Sequence, residues 1–274
     1  IRTIRYGINS VKPDMLDLSG LNLEYITFES CINVAHIKGI NLVAKGSMAP
    51  FKNCRNLTTI EGSVTLKDSI NMAFYGCKQL TGLTKGNKLI LDLTNVTSIS
   101  ETFSGCSSLT MDDLKFIMSK FSSKLNGTTW RAFTGCIGIR GSLPSNLFAK
   151  TTGMTSLNEY FSGCTGITGQ LPADLLKPMT KLRDCEETFL NCTGITGNIP
   201  ENFFAGPGSS LQITKHMFAN CVGIEDIPSN NLFSSNPNIK NTSYMFSGCT
   251  GITGKVPGTI FKGREKLWRM GRDT

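Results

Sequence analysis

Histidine is almost missing from this sequence, with two residues, His36 and His216, in 274. Imidazole serves most catalytic triads and many zinc sites, so its scarcity argues against His-dependent hydrolases and His-rich metal centres. Charged residues are sparse at 18%, while apolar residues reach 39%, enough for a core and too much for a disordered polyelectrolyte. No apolar run approaches the roughly 18–20 residues a membrane helix needs. Phosphate loops, dinucleotide fingerprints and zinc-protease phrases are absent as well. The chain opens at Ile1 with neither Met nor a basic-then-apolar leader, which leaves open whether it is a piece of a longer protein.

What is present is a repeat. Nine of the ten cysteines close the phrase Phe-x-(Gly/Asn/Ser)-Cys: Cys31, Cys54, Cys77, Cys106, Cys136, Cys164, Cys192, Cys221 and Cys249. The steps between them are 23, 23, 29, 30, 28, 28, 29 and 28 residues. An apolar residue follows three positions after most of them, as at Leu57, Leu80, Ile139 and Ile167. Later units add a Pro (Pro144, Pro172, Pro200, Pro228, Pro257) and then an apolar pair. A single unit of this size cannot bury its own apolar side, but stacked units share one continuous core. The expected fold is an α/β repeat solenoid with short parallel strands on one side and helical turns or loops on the other. The strand is expected at Ile-x-x-x-Leu, as in Ile167–Leu171, with Gly before Cys ending each turn through a positive φ. Longer later units predict a wider arc opposite the strands.

Residues 1–20 lack the Cys phrase and are expected to form capping strands. Residues 21–270 make about nine rungs, and 271–274 are a tail or the start of a truncated repeat. Thr110-Met-Asp-Asp113 is a helix N-cap phrase, followed by Leu114, Ile117, Met118, Phe121 and Leu125 at helical spacing. An amphipathic helix ending at Asn126-Gly127 is expected there.

The phrase resembles the BspA-like class of bacterial surface leucine-rich repeats and the related mycoplasma surface-protein repeat. Ala73-Phe74-Tyr75-Gly76-Cys77 and Met245-Phe246-Ser247-Gly248-Cys249 carry the likeness, which extends over roughly residues 14 to 270. The GITGNIP phrase also looks like plant-type repeats. The resemblance implies a non-catalytic recognition or adhesion module, extracellular or at a cell surface, or alternatively in a phage tail or virion.

The chemistry expected from the residues is correspondingly modest. Metal ligation needs convergent ligands at short spacing, and the nine ladder cysteines are spread evenly instead. They are expected to be buried thiols acting as small hydrophobes, with Cys185 outside the ladder and the more exposed thiol. A Cys–His nucleophile would need His216 beside Cys221, which is a ladder position. No catalytic residue, metal or cofactor is expected. The net charge is +8, but the basic residues are scattered, so nucleic acid is not expected as a partner. Lys262, Arg264, Lys266, Arg269 and Arg272 cluster near the end as a solvated basic cap. The binding face, for a protein or glycan partner, is expected on the strand side at Arg140, Gln170, Asn198, Glu225, Asp226 and Lys255.

Overall fold

A computed structural model describes residues 14–84, 86, 88–227 and 232–254. The first cap segment, residues 1–13, and the basic cap after residue 254 lie outside the described residues, as do Pro228, Lys255 and Pro257.

The Phe–Cys phrase organises the chain. The residue before each Cys is left-handed, from Ser30 (φ 61) and Asn53 (φ 59) to Gly76 (φ 70) and Gly248 (φ 71). This is the third position of a type II turn, closed by the Cys N–H donating to the Phe carbonyl, as in Cys106 to Phe103 at 3.1 Å. The alternatives Gly, Asn and Ser in the phrase follow from that conformation. Each turn then stacks on the next. The Phe N–H of one unit donates to the residue before the next Phe at 2.6–3.0 Å, from Phe28 to Pro50 through Phe218 to Met245. A second series, from Ser30 to Lys52 through Asn220 to Ser247, runs at 2.7–2.9 Å.

Nine phenylalanines stack along the interior. Phe28, Phe51, Phe74, Phe103, Phe133, Phe161, Phe189, Phe218 and Phe246 have neighbouring ring centroids 5.0–5.9 Å apart, each pair stacked. The hydrophobic core follows this line.

Strands are parallel but unevenly distributed. β1 (Met15–Asp17) and β2 (Asn22–Glu24) both pair with β3 (His36–Lys45), which pairs with β4 (Thr59–Ser69), which pairs with β5 (Leu89–Ser98). β1 falls within the expected cap and β2 at the start of the first expected rung, and both pair along β3. Ile37 and, past a bulge, the alternating Ile40, Leu42 and Ala44 point inside, in register with Ile60, Gly62, Val64 and Leu66. These early units carry strands of 10–11 residues, longer than expected. Later units carry less strand than expected. Among the described residues only β6 (Thr196–Gly197), β7 (Gly223–Ile224) and isolated bridges such as Gly141 with Ile167 remain. The reason is local: Gly141, Gly169 and Gly197 turn left-handed at φ 101, 78 and 75, and a Pro three residues later has no N–H for a ladder.

Helical turns are scarce among the described residues. α1 (Met111–Lys120) is the one α-helix, with a short 3-10 segment at Gly208–Ser210. α1 has the expected capping box, Asp113 N–H to the Thr110 hydroxyl at 3.2 Å and Thr110 N–H to the Asp113 carboxylate at 3.0 Å. It ends earlier than expected: Phe121 is already extended, and Phe121 and Leu125 reach the core from the following loop.

Glycines at the Gly-Ile pairs lie against the preceding unit's backbone. A Cβ on Gly194 would meet the Ile167 carbonyl oxygen at 2.5 Å, and one on Gly138 or Gly251 would meet a backbone oxygen at the same distance. Gly194→Ala should therefore force the units apart and cost about 1–3 kcal/mol, read as a lowered denaturant midpoint. An unchanged midpoint would mean that the contact relaxes freely.

Candidate binding surface

The cysteine ladder lines the interior. All ten cysteines are buried, Cys185 included. Cys185 was expected to be exposed, and the structure corrects this. It stands four residues before Phe189, in a buried column with Ile70, Ile99, Thr129, Leu157, Thr214 and Thr242. The ladder thiols also do more than fill space. Each one from Cys54 to Cys249 donates its S–H to the Phe carbonyl of the preceding unit at 2.9–3.1 Å. That carbonyl also accepts the Cys N–H of its own turn, so both lone pairs are used. The site needs a small apolar side chain carrying a donor, which is what a thiol is.

Burial raises these thiols. Cys77, Cys164 and Cys221 are pushed up to about 12 and Cys249 to about 11. Burial also drives Cys106, Cys136, Cys185 and Cys192 well above the ordinary value. Thiolate is the nucleophilic form, so these groups are unreactive in the folded chain. Thiol titration at neutral pH should find almost no fast-reacting cysteine in native protein and all ten after denaturation. Several fast thiols in the native state would contradict the packing.

The residues expected to form the strand-side face lie at the surface. Arg140, Gln170, Asn198, Glu225 and Asp226 are exposed. They form two columns rather than one. Arg140 and Glu225 stand four past their cysteines, and Gln170 and Asn198 stand six past. Gln170 Nε2 donates to the Asn198 carbonyl at 2.9 Å, so neighbouring units are coupled on this face. Asp226 Oδ1 accepts the Ile227 N–H at 2.7 Å. The paired threonines Thr165/Thr168, Thr193/Thr196 and Thr250/Thr253 are exposed beside them.

A second surface was not anticipated. Two residues before Phe, the backbone is left-handed again, at Met72, Glu101, Arg131, Glu159, Glu187, His216 and Tyr244 (φ 50–59). None is Gly or Asn, although such a conformation costs an ordinary side chain about 1–2 kcal/mol. Backbone bonds stack these positions directly, as Glu101 N–H to the Trp130 carbonyl at 2.8 Å and Glu187 N–H to Lys215 at 2.9 Å. Their side chains interlock between units. Arg131 Nε donates to Glu159 Oε2 at 2.6 Å, Trp130 Nε1 donates to Glu159 Oε1 at 2.9 Å, and the Arg131 guanidinium lies 4.3 Å over the Trp130 ring. His216 Nδ1 lies 3.5 Å from Glu187 Oε1, and its ring stacks on Tyr244 at 5.0 Å. Lys215 bonds Glu186 at 2.7 Å. The hydrogen bond from Glu159 holds the Arg131 pKa above its ordinary value, and that from Glu186 does the same for Lys215. Aligning the units shows this column as polar and aromatic. Only the backbone angle shows that glycine would have been the easier choice.

Among the described residues no group of three or more His, Cys, Asp or Glu side chains could hold a metal, and no helix is long and apolar enough to cross a membrane. His36 Nδ1 lies 2.9 Å from the Thr59 hydroxyl and 3.2 Å from that of Thr58.

No protein-family model matches the chain, and no curated protein matches it. Among solved structures it is similar to a leucine-rich repeat protein from Bacteroides ovatus, at 18% identity and a TM-score of 0.37. The match covers 84% of this chain and 64% of that one, so the chain spans less than two thirds of that protein's length.

Proposed function

We propose that the stacked units form a leucine-rich-repeat solenoid serving as a non-catalytic binding module at a microbial surface. Its partner is a protein or a glycan, and the module works by adhesion. The observation behind this reading is a division of labour within each unit. Phe, Cys and Ile/Leu are consumed by the interior, while equivalent polar side chains recur in columns outside. Such columns spread affinity over several units, as repeat proteins do. Gold-labelled antibody applied to the producing culture tests this. Label on the cell envelope is the expected result. Label on tailed particles would replace the cell-surface role with one in a virion, and label confined to the cell interior would overturn both.

A further inference from the structure

We infer that the column from Glu101 to Tyr244 is a binding track for a linear, neutral glycan. This rests on the binding-module reading above and moves the contact surface from the residues just after Cys to the column two before Phe, beside the parallel bridges Ser156–Asp184–Ile213–Asn241. The first support is internal to the chain. From the unit of Phe74 onward each unit has two left-handed positions with the same backbone demand, the column two before Phe opening at Met72. The one before Cys is filled by Gly, Asn or Ser, and the one two before Phe by Glu, Arg, His or Tyr in six successive units. Strained backbone retained under a large polar side chain marks a side chain kept for contact.

The second support is chemical. The track is built of planar side chains held by one another: Trp130, Arg131 and Glu159 form one group, Glu187, His216 and Tyr244 another. Groups ordered in advance lose little entropy on binding. Carboxylate and guanidinium edges match vicinal hydroxyls, and Trp130 and Tyr244, 38% and 41% exposed, offer ring surface to sugar C–H faces. A protein partner fits less well. The six column residues include no aliphatic side chain, and protein interfaces are built round an apolar centre. Arg131 offsets Glu159 and Lys215 offsets Glu186, while Glu101 and Glu187 leave the track net negative, which repels an acidic glycan and favours a neutral one.

The third support is spacing. The His216 and Tyr244 rings of the track lie 5.0 Å apart, and the stacked Phe rings of successive units beneath lie 5.1–5.9 Å apart. An extended peptide presents same-face side chains about 6.6–6.8 Å apart, so it drifts out of register within a few units. A chain of pyranose rings repeats on the scale of the units themselves.

The test is an array of linear neutral oligosaccharides, from disaccharide to octasaccharide, probed with the whole chain. Affinity should rise with length and level off near six sugars, one for each column residue from Glu101 to Tyr244. Trp130→Ala and Glu187→Gln should each weaken binding about tenfold, while Arg140→Ala with Gln170→Ala should change it less than about twofold. Glu101→Gly serves as the variant that cannot fail through strain: it should melt no lower than the parent and still bind more weakly. Full binding by a folded Glu101→Gly, together with unchanged binding by Glu187→Gln, would overturn the inference. Loss of binding in the strand-side double variant alone would overturn the track and leave the binding module standing. An empty array with label on the envelope would overturn the glycan and leave the module. An empty array with label only inside the cell would overturn both.

Discussion

Raising the pH above about 9 is expected to unfold this protein while its folded thiols are still protonated. Cys77, Cys164 and Cys221 stand near 12 and Cys249 near 11 in the fold, against an ordinary thiol value of 9.0. Burial is the first cause for each. In every case the folded value is raised, so the folded chain holds its protons longer than the unfolded one. The sign follows: this stability is complete below pH 9 and is lost as the pH rises through the folded values. Each cysteine that ionises only on unfolding removes about 1.4 kcal/mol per pH unit. With nine thiols raised in the stack, Cys54 through Cys249, a total stability of about 5–15 kcal/mol is exhausted within about one to two pH units. Far-ultraviolet circular dichroism and thiolate absorbance, followed together under a reductant-free inert atmosphere, should change in one transition. Thiolate appearing first, with the secondary structure intact, would show that the ladder admits hydroxide and water without unfolding.

Removing one ring from the middle of the stack should have an effect of similar size. Phe133 is fully buried, with Phe103 and Phe161 stacked at 5.1 and 5.9 Å and Tyr160 tilted at 5.4 Å. Phe133→Ala removes that surface, leaves a cavity that the rigid backbone ladders cannot close, and should cost about 3–5 kcal/mol. Stacked repeats transmit stability only through neighbours, so the halves on either side of Phe133 lose their coupling. Equilibrium denaturation should show a lower midpoint and either a shallower transition or two transitions. Phe246, partly buried and stacked among the described residues only on Phe218, gives the comparison: Phe246→Ala should cost clearly less. Equal losses at the two sites would mean that the stack carries no cooperative share of the stability.

The sequence by itself determined the repeat, its phase and its interior. Phe, Cys and Ile/Leu recur because each meets the same neighbours one unit away, and a shared environment leaves a shared residue. The positive φ before Cys was legible as Gly, Asn or Ser, and the helix start as Thr110 through Asp113. The tertiary structure decided what depends on backbone atoms or on distant segments. The acceptor of each thiol is a carbonyl, which has no side chain to leave a trace in the sequence. Asp113 is fully buried and accepts the N–H of Leu83 at 2.7 Å and of Gly82 at 3.2 Å, tying α1 to a segment about thirty residues earlier. Nothing local to the capping box requires that. The distribution of strand was also a tertiary outcome: the shorter early units cross the stack in long extended segments, whereas left-handed glycines and prolines interrupt the later ones. Cys185 lies outside the nine-membered ladder and is buried all the same, because a second interior column runs four residues before each Phe from Phe74 to Phe246. The track at Glu101 to Tyr244 stayed hidden in the sequence: charged side chains look like ordinary surface until the backbone beneath them is seen to be one that glycine would occupy more easily.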